Sequence, residues 1–432
     1  MIAPSTRLIW MVALVITSAA ALAGLLQGAA LPASLLVGIV IALAAADAVS
    51  GLRRLDAVQA AVPASLRLTK DVSTAVPLVF ENRTRQSLPT RVAIVPPDGV
   101  SCEKLTETVT LPPGRSELAW PCTGVRRGDA LLEEVHLEIS SPFGLWLTRA
   151  RRQVGCQLRV YPNLRDRATA ALFLRTANPG VRLQRQLGKG REFERLREYV
   201  VGDSFEDMHW KATARRRSPI VKVYQLEHAQ EVYAVVDCSR LTAREGILDK
   251  YVEAAMHVAL AAERQGDKFG LITFSDRVHR LLRARQGMDH FRLCREVIYN
   301  LHAGRVSPDF RELFSSIQLN LRRRALLIFF TSLDDPLLGE IFAAEVGLIA
   351  RSHVVLVHSI QTAGVRPQFS GEAPATPEAI YEGLAGQIVW NKTRALQLGL
   401  ANRGVRLTIA DPAHIKQQVA KAYLEVKRRQ VL

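Results

Sequence analysis

The N-terminal part of the chain contains a long stretch without charge. From Leu8 to Ala46 no Asp, Glu, Lys or Arg occurs. As a single helix this stretch would measure about 58 Å, nearly twice the roughly 30 Å hydrocarbon core of a bilayer. Two shorter helices remove the mismatch, because Gly28 and Pro32 provide a turn near the middle. The stretch therefore predicts a transmembrane helical hairpin.

The hairpin is expected to take up residues 1–55, with helices at about 8–27 and 31–50. Arg7 precedes the first helix, Arg53 and Arg54 follow the second, and the turn carries no Lys or Arg. Because positively charged residues are retained on the cytoplasmic side, both ends of the hairpin are predicted to be cytoplasmic. The expected location is the bacterial inner membrane, crossed twice, with the bulk of the chain in the cytoplasm.

A signal peptide is the alternative interpretation, with Leu8–Ser18 as its apolar region. Arg7 alone gives a weak positive region, and a second long apolar span follows at once, so the hairpin is favoured. Asp47 interrupts the apolar sequence near the end of the second helix. Its position predicts a carboxylate reached by water and headgroups.

The cysteines and the net charge restrict the compartment and the partners. The five cysteines are odd in number, widely spaced and form no CxxC, which favours reduced thiols in the cytosol. Cys102 and Cys122 remain an alternative disulfide if their domain faces an oxidising compartment. The net charge of +16 and the pI of about 10.0 favour anionic partners without choosing among them.

Residues 56–161 have the pattern of a small all-β domain. Val76, Leu78 and Phe80 alternate with other residues, as in a strand with one buried face. Strong turn signals such as Pro96-Pro97-Asp98-Gly99 separate short apolar runs. About seven strands at this spacing predict an immunoglobulin-like β-sandwich.

The C-terminal region, residues 231–432, alternates buried strands with helices. Val232–Val236 and Phe269–Phe274 are continuous apolar runs, and Ile247–Arg264 between them has helical periodicity. This order predicts a mostly parallel sheet covered on both faces, an α/β domain of the Rossmann type. Residues 162–230 are rich in Arg and are expected to be a connecting segment with short helices and one or two strands.

The first strand of the α/β region ends in Asp237-Cys238-Ser239. In such a sheet ligands bind at the carboxyl ends of the strands, where a carboxylate and a hydroxyl can share a Mg²⁺ ion. The sequence resembles the metal-ion-dependent adhesion site of von Willebrand factor A domains, Asp-x-Ser-x-Ser. Leu241 replaces the last Ser, and Thr331-Ser332 stands where the distal Asp is expected, with Asp334 and Asp335 shortly after it. The favoured interpretation is that Asp237 and Ser239 order the turn, and a weak Mg²⁺ site is the alternative.

Residues 190–224 carry the most distinctive sequence. The landmarks are Arg197-Glu198-Tyr199, Gly202-Asp203, His209-Trp210-Lys211-Ala212, Ala214-Arg215 and Lys222. This combination resembles the bacterial domain of unknown function 58 family. Arg127-Gly128 and Ser141-Pro142-Phe143-Gly144-Leu145 resemble the sandwich segment of that family. The resemblance marks as candidate interaction residues Arg197, Tyr199, Gly202, Asp203, Trp210, Lys211 and Arg215.

The resemblance implies a membrane-tethered hairpin, a sandwich and a von Willebrand factor A-like domain. It also implies a role beside a MoxR-type AAA ATPase or its client protein. Taken without the family, the same residues predict a network of arginine–carboxylate pairs, with Trp210 as a buried packing anchor. Acidic residues interleave with the basic ones, so no nucleic acid is expected as a partner.

The chain is expected to be an interaction protein without catalytic activity or a resident cofactor. No nucleophile elbow and no HExxH occurs. A Mg²⁺-dependent ligand-binding A domain is the second hypothesis, and a hydrolase whose groups are far apart in sequence is the third.

Overall fold

The computed structural model divides the chain into two compact units, Met1–Asn163 and Leu164–Leu432. The residues that it describes are 1–25, 30–165, 192–201, 203–225, 229–244, 246–362, 364–365, 367 and 376–429. Gly202, a predicted motif residue, lies outside them. Each unit packs a hydrophobic interior of its own, so each is described by itself.

Two helices begin the first unit, α1 (Thr6–Leu25) and α2 (Ala30–Asp56). Within the described residues, the segment Ser34–Asp56 is long and apolar enough to cross a membrane, whereas Thr6–Ala21 is a shorter apolar helix. The helix α2 continues past its predicted end at residue 50, because Gly51 and Leu55 are buried against β-structure. A second membrane crossing stays a prediction.

Asp47 is enclosed by protein. Only 1% of the residue is exposed. Its carboxylate accepts hydrogen bonds from the Ser141 hydroxyl at 2.5 Å, the Phe143 amide at 3.0 Å and the Leu145 amide at 3.3 Å. The expectation that water and headgroups reach this carboxylate is therefore wrong. A loop more than ninety residues away in sequence surrounds it, and no local pattern indicates such a contact.

The remainder of the first unit is built from strands. They are β1 (Ile2–Pro4), β2 (Val58–Ala61), β3 (Ser65–Thr69), β4 (Ser73–Asn82), β5 (Leu88–Ile94), β6 (Val100–Cys102), β7 (Thr106–Leu111), β8 (Gly114–Gly124), β9 (Gly128–Ser140) and β10 (Trp146–Tyr161). One sheet has the order β1-β10-β9-β5-β7 with β3 beside β10, and the other has the order β2-β4-β8-β6. As the alternation predicts, Val76, Leu78 and Phe80 are buried in a hydrophobic core to which both sheets contribute. Its immunoglobulin-like character stays a prediction, and β1 lies outside the range predicted to be β-structure.

Cys102 and Cys122 are direct partners across β6 and β8. Their sulfur atoms are 3.0 Å apart, and both are free thiols. The Cys122 thiol lowers the pKa of Cys102 by donating a hydrogen bond to it. Two thiols at this distance can form a disulfide with little movement of the strands.

The second unit contains both sheets and helices. Its strands are β11 (Glu192–Glu198), β12 (Ile220–Gln225), β13 (Glu231–Asp237), β14 (Lys268–Phe274), β15 (Val278–Arg285), β16 (Leu326–Phe330), β17 (Val354–Ile360) and β18 (Arg406–Ala410). Its helices are α3 (Trp210–Arg216), α4 (Ile247–Arg264), α5 (Met288–Ile298), α6 (Phe310–Asn320), α7 (Pro336–Glu345), α8 (Gly347–Ala350), α9 (Pro377–Ala401) and α10 (Ile415–Arg428). The strands β11 and β12 pair with each other, and α3 lies between them in the sequence.

The large sheet of this unit has the order β15-β14-β13-β16-β17-β18. All its pairs are parallel except that of β14 with the edge strand β15. In β13, Val232 and Ala234 face one hydrophobic cluster while Tyr233 and Val235 face another on the opposite side. The prediction of a mostly parallel sheet buried on both faces is confirmed.

Sequence periodicity missed several elements of the second unit, among them β15 and α7. The strand β15 has no fully buried residue, and Arg280, Arg283 and Arg285 give it a polar composition, so its edge position hides it from an apolar pattern. The helix α7 was not predicted. Its start is set by Asp335, whose carboxylate accepts hydrogen bonds from the first-turn amides of Leu337 and Leu338.

Candidate functional site

The carboxyl end of the central strand β13 carries the predicted metal-site residues. Asp237 is completely buried. One carboxylate oxygen accepts the Ser239 backbone N–H at 2.7 Å, and the other accepts the Thr331 hydroxyl at 2.6 Å. Thr331 follows the neighbouring parallel strand β16. The two strand ends are therefore joined through Asp237.

The turn after Asp237 is closed by its own hydroxyl groups. The Ser239 hydroxyl oxygen accepts the Leu241 N–H at 3.3 Å. The Thr242 hydroxyl lies within hydrogen-bonding distance of the Asp237 and Ser239 carbonyl oxygens, at 3.2 and 3.0 Å. Asp237 and Ser239 thus order this turn, which is the role that the favoured interpretation gave them.

Two arginines occupy the solvent side of this turn. The Arg240 guanidinium donates to the Ser307 hydroxyl at 2.8 Å and to Asp335 at 3.3 Å. Arg244 contacts Asp334 at 3.4 Å. Asp334 and Asp335 are the carboxylates that a metal site would need to recruit, and both are paired with a guanidinium instead.

The electrostatics of the site follow from burial. Burial raises the pKa of Asp237, and the hydrogen bonds from Thr331 and Ser239 oppose that rise. Asp309, another residue near this loop, caps α6 by accepting the Glu312 N–H at 3.0 Å. In the described part of the chain, no group of three His, Cys, Asp or Glu side chains is placed to hold a metal ion.

Sequence reasoning did not identify Thr331, Arg240 and Arg244 as site residues. Thr331 was noted only as an occupant of the place where the distal Asp was expected. Arg240 stands directly after Ser239, inside the Asp-x-Ser-x-Ser pattern. A cation at that position is the signal that could have indicated an internal ion pair in place of a bound metal.

Residues 192–225, here called the motif segment, hold most of the other predicted site residues. The Arg197 guanidinium and the Asp203 carboxylate form an ion pair at 2.6 Å. Asp203 also accepts the Val200 N–H at 2.9 Å. The Arg197 hydrogen bond lowers the pKa of Asp203, with the Val200 amide contributing in the same direction. This ion pair closes the turn that follows Tyr199.

Trp210 is not the buried anchor that was predicted. The residue is 67% exposed, at the first position of α3. The start of α3 is ordered without it, because the His209 ring nitrogen accepts the Ala212 N–H at 3.1 Å and caps the helix. The indole therefore points away from the packing that holds the segment together.

The motif segment exposes further large apolar side chains. Val200, Val201 and Phe205 are each more than half exposed, and the Phe205 ring lies 5.8 Å from that of Tyr199. On α3, Lys211 and Arg215 are exposed as well. We call Val200, Val201, Phe205, Trp210, Lys211 and Arg215 the aromatic–basic set.

A serine, a histidine and an aspartate also meet at the turn between β14 and β15. The Ser275 hydroxyl contacts both Asp276 and His279 at 2.7 Å. A catalytic triad needs the histidine between the serine and the carboxylate. Here the serine lies between the other two, so the histidine is not oriented by the carboxylate.

The family comparison agrees with the motif. Residues 195–363 match the model of the family described as "Protein of unknown function DUF58". The match begins in β11 and ends just after β17, so it includes the motif segment from residue 195 onward and most of the parallel sheet. The resemblance drawn from the sequence is confirmed for this region. No curated protein sequence matches the chain.

Several solved structures are similar in part. The SpRpn10 VWA domain is 13% identical, with 44% of this chain and 94% of that chain covered at a TM-score of 0.26. BatB from Bacteroides thetaiotaomicron is 11% identical, with 46% and 100% covered at 0.28. A PapD-like domain of human CEP192 is 11% identical, with 25% and 87% covered at 0.19. At these TM-scores the likenesses carry no argument about function.

Proposed function

We propose that this chain is a membrane-anchored interaction protein without catalytic activity, acting with a MoxR-type AAA ATPase or with the client of that ATPase. The family resemblance suggests the partner. The single observation that supports an interaction role is the exposure of the aromatic–basic set, Trp210 above all. The four-part organisation of hairpin, immunoglobulin-like sandwich, connecting segment and A-like domain belongs to the same proposal.

The exposed side chains have the chemistry of a binding surface. Trp and Arg are over-represented among the residues that carry most of the binding energy of protein interfaces. An apolar side chain exposed to water also favours binding, because the free energy falls when a partner covers it. The Arg197–Asp203 ion pair at 2.6 Å fixes the turn that presents Val200 and Val201. A surface held in place before binding loses less conformational entropy on association.

The strand-end site supports a structural role. The Asp237 oxygens accept from Ser239 and Thr331, and the nearby carboxylates of Asp334 and Asp335 pair with arginines. A divalent cation would have to displace these donors and then replace them with several oxygen ligands. We therefore propose that partner binding does not depend on a metal.

The proposed anchor is a two-pass hairpin in the bacterial inner membrane, with the bulk of the chain cytoplasmic. The uncharged stretch Leu8–Ala46, with Arg7 before it and Arg53 and Arg54 after it, supports this orientation. The structure adds a further supporting observation. The residue before α1, Ser5, donates its backbone N–H to Leu145, and Asp47 in α2 contacts the same loop.

The test is a binding measurement with the full-length chain in lipid nanodiscs and a MoxR-type ATPase from the same organism. Trp210→Ala is expected to weaken binding about tenfold or more, as removal of an aromatic hot spot does. Tyr381→Ala is the matched control, because Tyr381 is another highly exposed aromatic residue of the second unit.

Three results would separate the parts of this proposal. Loss of binding in Trp210→Ala with wild-type binding in Tyr381→Ala supports both the partner and the surface. Binding by the wild type that Trp210→Ala leaves unchanged refutes the surface. A wild-type chain that does not bind the ATPase in any nucleotide state refutes the partner.

A further inference from the structure

The helix α2 is divided into two parts that face different surroundings. In its C-terminal half, Ala44, Asp47, Gly51 and Leu55 are buried, and their spacing places them on one face of the helix. That face packs on β-structure so closely that a Cβ atom on Gly51 would come within 3.0 Å of the Thr148 side chain in β10. Before Ala44, most of the described side chains of α2 are exposed.

The boundary between the two parts is marked by the loop Ser141–Leu145. Asp47 accepts hydrogen bonds from Ser141, Phe143 and Leu145, all at or below 3.3 Å. Just after this loop, the Trp146 indole N–H donates to the Ala44 carbonyl oxygen at 2.8 Å. The loop is thereby fixed beside the turn of α2 that contains residues 44–47.

The start of α1 lies beside the same loop. Ser5 donates its backbone N–H to Leu145 at 2.9 Å and its hydroxyl to Gly144 at 2.6 Å. Before it, β1 pairs with the first residues of β10, so the N-terminal residues are held to the sheet. The Arg7 guanidinium lies against Gly144. One turn further along α1 is Trp10, which is 73% exposed.

The length of α2 indicates where Asp47 and the loop would lie relative to a bilayer. The residues of α2 from Ala30 to Ala46 carry no charge and make about 26 Å of helix. A hydrocarbon core measures roughly 30 Å. A helix that crosses the core with this segment brings Asp47, and the loop bonded to it, to the headgroup region.

Exposed aromatic and basic residues gather at this level. Phe143, in the middle of the loop, is 71% exposed, and Trp10 lies on the neighbouring helix. Trp is favoured at the membrane–water interface, Phe is common on the apolar side of segments that insert into it, and Arg near it attracts anionic phosphates. Of the apolar surfaces in the first unit, this one is continuous with a helix of membrane-spanning length.

We propose that the loop Ser141–Leu145 and the start of α1 form an interfacial collar that seats the first unit on the lipid surface, with the Phe143 ring inserted among the headgroups. The inference rests on the membrane anchor of the proposed function and adds to it a second, specific lipid contact. In this arrangement the Asp47 carboxylate holds the loop, and the hydrogen bonds from the loop replace those that water would otherwise donate to it.

Photochemical crosslinking of the full-length chain tests the collar. Phe143 is replaced by the photoreactive amino acid p-benzoylphenylalanine, in nanodiscs of phosphatidylethanolamine and phosphatidylglycerol. The matched control places the same amino acid at Val125, a half-exposed apolar residue just before β9. Because β9 has 13 residues, its two ends are separated by about 40 Å. Val125 therefore lies far from the loop, which follows the other end of β9.

Irradiation is expected to attach phospholipid to position 143 and not to position 125, as read from the masses of the peptides. Anchoring is scored separately by retention of the chain in vesicles after an alkaline wash. A chain that stays anchored but gives no lipid adduct at position 143, or equal adducts at both positions, overturns the collar alone. A chain that the wash removes overturns the anchor, and the collar with it.

Discussion

At the scale of single residues, the carboxylates of the strand-end loop are neutralised by arginines of the same protein. Arg240 and Arg244 each contact one of two consecutive carboxylates, Asp335 and Asp334. In A domains with the Asp-x-Ser-x-Ser pattern a dication is expected near this place. Here the positive charge comes from side chains that are part of the loop.

This pairing predicts weak affinity for divalent cations. Mg²⁺ gives up its waters reluctantly and requires nearly octahedral oxygen ligands, which the loop does not present. Calorimetric titration of the full-length chain with Mg²⁺ and Mn²⁺ is expected to give dissociation constants of roughly a millimolar or weaker, as in the weakest natural oxygen-ligand sites. Micromolar affinity that disappears in Asp237→Ala would contradict the prediction and would favour the metal-dependent A domain.

The second unit is expected to lose stability in acid because of His358 in β17. Its imidazole is buried, and neither ring nitrogen has a hydrogen-bond partner in the described part of the chain. Burial, with a contribution from Arg406, lowers its pKa from 6.5 to about 3. Between these values the unfolded chain binds a proton that the folded unit does not bind, so the free energy of unfolding falls as the pH falls, by about 1.4 kcal/mol per pH unit.

The urea midpoint of the wild type should therefore decrease between about pH 6.5 and pH 4.5, in the range where unfolded histidine becomes protonated. His358→Leu should flatten that dependence whatever its stability at neutral pH. The raised pKa of Asp237 acts in the opposite direction, but it is common to both proteins and cancels in the comparison. Parallel curves for the two proteins would show that His358 accepts a proton in the folded state.

Single residues also mark the limit of sequence reasoning. Asp237 was recognised as a turn-ordering residue because its neighbours in sequence supply one of its donors. Trp210 was assigned to a core because large aromatic residues are usually buried, and its exposure depends on how β11 and β12 pair around α3. Asp47 was placed in water because its enclosing loop follows it by more than ninety residues.

At the scale of elements, α2 is long and apolar enough to cross a membrane, and its C-terminal half is also a structural part of the first unit. Its last turn is capped from β10, because Arg152 donates to the Leu55 carbonyl oxygen at 2.7 Å and to that of Val58 at 3.2 Å. Cations near the carboxyl end of a helix are favourable for its dipole. Asp47 and Arg152 thus hold the two ends of the packed half of α2.

Removal of the Asp47 carboxylate is expected to release the loop Ser141–Leu145. Hydrogen bonds to charged groups contribute about 1.5–3 kcal/mol each, so Asp47→Ala should accelerate hydrogen exchange at the Phe143 and Leu145 amides roughly ten- to a hundredfold. Asp56→Ala is the control, because its carboxylate is exposed and reaches Arg152 only at 3.9 Å. Equal exchange in both variants would mean that the loop is held by Trp146 instead.

Elements with strong periodicity were predicted well, and edge elements were not. The strands β13 and β14 are apolar throughout because both faces are buried, and that property can be read in a short window. The edge strand β15 has arginines along it. The three-residue strand β1 precedes α1 and α2 in sequence and pairs with β10, which follows both helices. The pairing of β1 depends on long-range contacts that no local pattern contains.

At the scale of the whole molecule, the uncharged stretch and the arginines around it predict a chain held at a membrane. The net charge of +16 suits a bilayer with acidic lipids, and the basic residues that flank the apolar stretch set its expected orientation. The structure adds that the start of α1 and the packed half of α2 contact one loop of the first unit. A hairpin with both ends on the side of that unit follows from this contact if both helices cross the membrane.

The membrane topology of the chain tests this arrangement. Alkaline phosphatase, which is active only in the periplasm, should be silent when fused after Leu432 and active when inserted at Gly28, because Arg7, Arg53 and Arg54 keep both ends of the hairpin in the cytoplasm. Activity of the reporter fused after Leu432 would instead reverse the predicted orientation of the chain.

The thiols of Cys102 and Cys122 provide an independent measure of the same topology. Their sulfur atoms are 3.0 Å apart, so an oxidising periplasm would convert them to a disulfide, whereas the cytosol would keep them reduced. Alkylation of whole cells under denaturing conditions, followed by mass spectrometry, should find both thiols modified. A disulfide in that experiment, together with phosphatase activity after Leu432, would reverse the orientation of the chain and place the aromatic–basic set where no cytoplasmic ATPase can reach it.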